Sequence, residues 1–457
     1  MNRLPPEVIA LCATFVSHSD PRPIISLTHV CQYWRKVITS SPRNWASIGN
    51  RWKRLTPLCL QRAGVVPLTV DIAISDIRAD AIFLEGLLPF LCTPRIAYIS
   101  LTGFSIRAVA NAAPDFFASP MRTLISLDLQ QTDDPAEPFP SGALHAPPIS
   151  WQLTELKSLC LTRTPLYPAL ASVTSLVELK LIGYTTPFHF GKFVRFLHSN
   201  PNLELIASDI RFVECSERVL PSRTVSFPRL RHLSFTCTNP IDARGLISSI
   251  PLPRSAHLEV AVPQMGPRVD LRSVLPSRST PIQELLAPIT TIKYQNEPRV
   301  VQLYGNDSRF SFWSQLFAIY SELSIFTTDA VREFHLKISR GHDLSWPLSR
   351  LPALETLVLV DVSFFPFPSK AFAFLAEPTL CLSLKTIAFF NCNLDRRVIE
   401  SLEGVVAERR KSAAAWLHRV VIVRKTGALP DHELIHRLRK YVPCVDARID
   451  EKLPDLS

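Results

Sequence analysis

The stretch LKTIAFFNCNL, residues 384–394, decides how this chain is read. Leu384, Ile387 and Phe389 fill the pattern Leu-x-x-Leu-x-Leu, and Cys392 and Leu394 complete an eleven-residue figure. Alternate residues of a strand share a face, so Ile387 and Phe389 point to one side and Thr386 and Ala388 to the other. The same figure recurs at residues 96–101, 124–129, 156–161, 176–181, 230–235 and 354–359, with weaker copies at Leu203, Ile289, Val331 and Leu417. The copy LKSLCLTRTPL, residues 156–166, is nearly as full, with Thr164 at the turn position. A single such unit cannot bury its own apolar face, so the pattern predicts strands stacked side by side.

The totals bound what can surround this pattern. A chain of 457 residues exceeds the length at which a single core usually stops growing. Apolar residues make up 47% and charged residues 20%, a composition that folds. Only 13 glycines stand against 39 prolines, which disfavours Gly-rich phosphate cradles and predicts many short elements. The formal charge of +10 is scattered, with modest clusters at 51–54 and 409–411 that read as solvated basic surface. No aromatic-interleaved basic stripe accompanies it, so no nucleic-acid partner is expected. The ten cysteines include no Cys-x-x-Cys pair, and many sit at apolar places, as in a reducing compartment. The apolar run from Val8 to Val16 is interrupted upstream by Pro5, Pro6 and Glu7, unlike a secretory leader. No stretch reaches the ~20 apolar residues of a membrane helix, and a cytoplasmic or nuclear location is expected.

The first fifty residues predict three short helices. Pro5 and Pro6 suit a helix start, and Val8, Cys12, Phe15 and Val16 form one stripe. Asp20-Pro21 opens a second helix carrying Ile24, Leu27 and Val30. Val30, Trp34, Val37 and Ile38 repeat the spacing until Ser41-Pro42 ends it. Three helices this short cannot close a core alone, so a partner surface is expected.

These residues resemble the F-box, the helical module that docks to the Skp adaptor of cullin–RING (SCF) ubiquitin ligases. The matching positions are Leu4, Pro5, Glu7, Val8 and Ile9, then Phe15, Asp20-Pro21, Leu27, Val30-Cys31, Trp34-Arg35, Pro42 and Trp45. Thr14-Phe15 stands where an Ile-Phe pair is usual. The resemblance implies that Leu4, Pro5, Ile9, Phe15, Leu27, Val30 and Trp34 grip the adaptor, and through it a cullin. The junction that follows, to residue 75, also resembles the large F-box families of mushroom-forming fungi.

The later figure resembles leucine-rich repeats, whose periods of about 20–29 residues the spacing approaches. The expected fold class is therefore α+β: a three-helix F-box over 1–50, a linker helix over 51–64, an irregular α/β leucine-rich-repeat solenoid over 65–427, and a capping helix with tail over 428–457. The proline-rich part from 262 to 313 reads as an irregular section, with a hairpin insertion. Positions between the inward ones, among them Asp128, Gln130, Glu178, Lys180, His232, Thr236 and Thr356, are expected on the concave side, facing a protein substrate. The expected role is a substrate-recognition adaptor with no catalytic residue, cofactor or metal. The alternative is a ligase-independent interaction scaffold.

One motif argues for another chemistry. Residues 432–436 read HELIH, the His-Glu-x-x-His of zinc peptidases, and a helix would place His432 and His436 on one face. Arg439 and Val442, however, stand where an extended zinc motif has glycine and a third histidine. The segment reads instead as an amphipathic end helix whose Leu434, Ile435 and Leu438 face inward.

Overall fold

The computed structural model describes residues 4–17, 22–74, 82–86, 95–104, 109, 115–116, 121–131, 152–164, 173–183, 188–209, 212–213, 226–237, 239–250, 252–253, 255–262, 274–275, 289–296, 299–305, 309–314, 330–337, 348–349, 351–362, 372, 375, 380–411, 416–424 and 432–449. They belong to two compact units, Met1–Val213 and Glu214–Ser457.

The first unit opens with helices α1 (Pro6–Ser17), α2 (Arg22–Thr28) and α3 (Gln32–Ser40). The Pro5 carbonyl accepts from the amides of Val8 and Ile9, which starts α1. Cys31 caps α3, its sulfur accepting from the Trp34 amide at 3.5 Å. The Asp20–Pro21 turn lies outside the described residues. A short 3-10 turn, Pro42–Trp45, leads into β1 (Ser47–Gly49), and α4 (Thr56–Ala63) ends at Gly64, whose φ of +56° suits a residue without Cβ.

The strands β2 (Leu68–Ala73), β3 (Ile96–Phe104), β4 (Ser126–Gln131), β5 (Ser158–Thr162) and β6 (Glu178–Ile182) follow. After β7 (Phe188–His189) come α5 (Phe190–His198), β8 (Leu205–Asp209) and β9 (Phe212–Val213), the last pairing with β7. Strands β1 to β6 and then β8 pair in parallel and in chain order. Alternation fixes the register: Leu127, Leu129, Leu159, Leu161, Leu179 and Leu181 are buried on one face. The leading leucines of the figure, Leu124, Leu156, Leu176 and Leu203, are buried at the strand entrances. Thr164 uses its hydroxyl to serve the Leu129 carbonyl at 3.2 Å, which explains a polar residue at a buried turn.

In the second unit β10 (His232–Thr236), α6 (Pro240–Ser249) and β11 (His257–Val262) form a parallel unit. Strands β12 (Ile289–Asn296), β13 (Arg299–Gly305) and β14 (Arg309–Ser314) form an antiparallel meander. Its outer members join parallel neighbours, β14 to β11 and β12 to β15 (Glu333–Lys337). Then β16 (Thr356–Val360), β17 (Thr386–Phe390), α7 (Arg396–Lys411), β18 (Arg419–Arg424), α8 (His432–Arg439) and β19 (Cys444–Ile449) complete the unit, all these strands parallel.

The chain is therefore α/β, built on parallel strands linked by crossovers such as β17-α7-β18 and β18-α8-β19. The expected class, an α+β three-helix F-box followed by a leucine-rich-repeat horseshoe, is corrected by two findings. First, the N-terminal helices do not stand apart: β1 is already a strand of the first unit's sheet. Trp45 is buried with the Arg62 guanidinium of α4 4.3 Å above its ring, and Arg22 of α2 lies 4.0 Å over Trp52. Gly49 is needed at this seam, because a Cβ there would collide with the Asp71 carbonyl of β2. Second, the strands β16 to β18 are buried on both faces. Val358, Val360, Ala388, Val421 and Val423, which a horseshoe would leave on an open polar side, form an apolar cluster with Phe390, and Val423 is 1% exposed. Two-sided burial is the signature of parallel α/β sheets.

The basic cluster at 409–411 is also corrected in part. Arg410 and Lys411 are exposed, but Arg409 is buried and donates to the carbonyls of Leu375, Leu380 and Cys381.

Candidate functional site

Two surfaces of the first unit carry unsatisfied chemistry. The first is apolar. On α1, Ile9 and Ala13 pack inward, while Leu4 before the helix and Val8, Leu11, Phe15 and Val16 on it are exposed. Phe15 is 85% exposed and Leu11 71%, and Val30 at the start of α3 is 59% exposed. Spacing of three and four residues sets these side chains on one ridge of the helix. Soluble chains rarely leave so many large apolar residues together on one element, and such ridges mark docking sites.

The ridge is held from beneath. The Tyr33 hydroxyl donates to the Leu4 carbonyl at 3.2 Å, tying the segment before α1 to α3. The Thr14 hydroxyl lies 2.8 Å from Oδ1 of Asn44, whose Nδ2 donates to the Ile38 carbonyl at 3.3 Å. The Trp45 indole donates to the same carbonyl at 3.1 Å.

Of the residues expected to grip an adaptor, Leu4, Pro5, Phe15 and Val30 are exposed, and Leu27 and Trp34 are half-buried. Ile9 is 1% exposed and is corrected to core. Leu11 is not among the sequence-predicted contacts, Val8 is there a matching position and a stripe residue, and Val16 a stripe residue. The signal was present, since a ridge running Leu4, Val8, Leu11, Phe15 has the three- and four-residue spacing of one helix face.

The second surface is the outward face of the β2–β8 sheet. Register sets Thr69, Tyr98, Ser126, Ser158, Glu178 and Leu205 in one row. The next row holds Asp71, Ser100, Asp128, Cys160, Lys180 and Ala207. Every one of these is half-buried or exposed, unlike the buried leucines between them. Gln130 donates to Oδ2 of Asp128 at 3.0 Å, and the Ser158 hydroxyl donates to Glu178 at 3.3 Å. Burial, then the neighbouring Asp128, push the Cys160 thiol up to about 11, so it is a neutral thiol rather than a nucleophile.

The structure thus brings Asp128, Gln130, Glu178 and Lys180 onto one face and adds Asp71 and Tyr98, which the sequence reading had not marked. His232 and Thr236 belong to the second unit, half-buried on β10. His232 Nδ1 lies 2.8 Å from His257 Nδ1, and its Nε2 lies 4.0 Å from Glu259. Thr356 is half-buried at the start of β16, but the outward positions after it, Val358 and Val360, are covered.

His432, Glu433 and His436 are exposed on α8. Ile435 and Leu438 face inward, and Arg437 binds Glu403 of α7 at 2.6 Å. Among the described residues no three His, Cys, Asp or Glu side chains stand together as a metal site. Among the described residues no helix is long and apolar enough to cross a membrane.

No family model matches the chain, and no curated protein matches it at significant similarity.

Proposed function

We propose that this chain is the substrate-recognition adaptor of an SCF-type cullin–RING ubiquitin ligase, docking to a Skp-type adaptor through the ridge of α1 and the start of α3. The observation that carries the reading is the exposure of Leu4, Leu11, Phe15 and Val30 on residues whose order resembles an F-box. Burying a phenylalanine or leucine side chain is worth about 1.5–3 kcal/mol, so four or five of them can outweigh the freedom lost on association. The sheet-bearing body then holds a protein substrate. Tethering raises the substrate's effective concentration near a charged ubiquitin carrier, so the chain itself needs no catalytic group.

The test is direct binding of the purified chain to a Skp-type adaptor. Wild-type protein should bind, and Phe15→Asp or the pair Leu4→Ala with Pro5→Ala should weaken binding at least tenfold. Absence of binding by wild type, or binding indifferent to both variants, rejects the reading.

A further inference from the structure

We propose that the outward face of the first unit's sheet receives an extended cationic segment of a partner polypeptide, with one arginine or lysine seated between Asp71 and Asp128 beside Tyr98. This deepens the reading above and rests on it only for treating that partner as a substrate.

Four observations converge on the seat. Asp71, Tyr98 and Asp128 lie on the adjacent strands β2, β3 and β4, and register places Asp71 and Asp128 opposite the same residue, Ser100. Neighbouring strands are about 4.8 Å apart, so the two carboxylates flank the Tyr98 strand with about 10 Å between their roots. That gap admits a guanidinium or ammonium over Ser100, one same-face step along β3 from Tyr98, whose side chain is 44% exposed. Asp128 is half-buried, takes one bond from Gln130 and neighbours the Cys160 thiol, and has no ion-pair partner among the described residues. Asp71 has no ion-pair partner among the described residues. A half-buried carboxylate with no ion-pair partner gains a charge-assisted bond from an incoming N–H, stronger than one between neutral groups.

The rest of the face fits the same partner. Glu178 on β6 and Asp209 at the end of β8 add two more carboxylates, against Lys180 as the one cation among the described residues of these rows. This acidity is local, since the whole chain carries +10. Asp128 and Glu178 are two strands apart, about 10–12 Å, and an extended chain covers that distance in about three residues. In an extended segment of polyproline II type, with about three residues per turn, basic residues at every third position share one side and would meet Asp128 and Glu178 in turn. An acidic face of this kind repels nucleic acid. The corresponding outward face of β16 to β18 is apolar and buried, so it offers no equivalent seat.

The experiment uses the full chain and a fluorescently labelled peptide with arginine at every third position in a serine–glycine background. A twin peptide with glutamate at those positions and a labelled single-stranded oligonucleotide serve as controls. Wild-type protein should bind the arginine peptide, with affinity falling as salt is added, and neither control. Asp71→Asn with Asp128→Asn, which keeps side-chain size, should weaken binding about tenfold, the scale of two partly exposed ion pairs. Tyr98→Ala should weaken it severalfold and Tyr98→Phe should not. Failure to bind the arginine peptide, equal binding of its glutamate twin, preference for the oligonucleotide, or indifference to the Asp71/Asp128 pair with unchanged melting overturns the proposal. Adaptor docking through Phe15 is measured separately on the same variants. If docking fails while arginine-peptide binding responds as expected, only the ligase reading falls.

Discussion

The hydroxyl of Thr14 stands 2.8 Å from Oδ1 of Asn44, joining the underside of α1 to the turn that leads into the sheet. Asn44 is fully buried and also donates to the Ile38 carbonyl, so one side chain connects α1, α3 and the 3-10 turn. This explains a polar residue on the inner side of α1: a hydroxyl is needed to meet the amide. Asn44→Ala removes the amide that joins these elements, while the Thr14 hydroxyl keeps the Ala10 carbonyl and the Ile38 carbonyl keeps the Trp45 indole, and should cost about 1–2 kcal/mol of stability, read as a lower midpoint in thermal unfolding. Thr14→Val, which keeps the shape but removes the hydroxyl's contacts with Asn44 and the Ala10 carbonyl, should cost about 1 kcal/mol.

Phe15 and Ile9 are six residues apart on one helix and predict opposite phenotypes. Phe15→Ala removes an exposed side chain and should leave the unfolding midpoint within experimental error while weakening adaptor binding by about 2 kcal/mol or more, roughly thirtyfold. Ile9→Ala opens a cavity under the ridge and should lower stability by about 2–5 kcal/mol. Calorimetry alongside adaptor titration separates the two, and a destabilised Phe15→Ala protein would show that the ridge is core.

That contrast also marks what the sequence could and could not disclose. Strand positions were legible because Leu-x-x-Leu-x-Leu alternates, and one buried face suffices to set phase at Leu127, Leu159 and Leu179. The segment PEVIALCATFV has almost no polar face, so periodicity alone cannot say that Ile9 turns in while Leu11 turns out. TLVLV and RVVIVR are continuous apolar runs, and a one-sided template misassigned their second face. The runs themselves were the signal for two-sided burial. Asp71 was hidden for a simpler reason: a lone acid between Val70 and Ile72 gains meaning only when register sets it across from Asp128.

The thiols should divide sharply by reactivity. Cys12, Cys31 and Cys444 are exposed, whereas Cys381 and Cys392 are buried. Burial pushes Cys381 up to about 11 and Cys392 up to about 12 from an ordinary 9.0. At pH 8 an alkylating reagent followed by mass spectrometry should modify the first three rapidly and spare the last two. The same shifts set an alkaline limit. Native and unfolded chains both keep these protons below pH 9.0, where their contribution is fully present. Above it the unfolded thiols ionise first, so stability falls as pH rises from 9.0 towards about 12. Cys392→Ala should flatten that decline.

The HELIH segment predicts an absence of metal dependence. His432 and His436 are exposed, and α8 is fastened by Arg437 to Glu403 and by buried Leu438. His432→Ala should therefore leave the melting curve and any metal content of the purified chain unchanged. One equivalent of zinc in wild type, lost in this variant, would restore the peptidase reading.

Arg409 carries the last prediction. Its guanidinium is buried at the end of α7, Nη1 donating to the carbonyls of Leu375 at 3.1 Å and Leu380 at 3.2 Å, and Nη2 to Cys381 at 2.8 Å. A planar fork reaches several carbonyls at once, and an ammonium cannot copy that geometry. Arg409→Lys should therefore lose at least one bond while keeping a buried charge, and Arg409→Met should lose them all while removing the charge. Each carbonyl left dry costs about 1–3 kcal/mol, and the uncompensated lysine adds a further desolvation cost. The expected order in thermal or urea unfolding is wild type above both variants, with Lys no better than Met despite its conserved charge. A lysine variant as stable as wild type would mean that charge rather than shape holds α7 against the carbonyls of Leu375, Leu380 and Cys381.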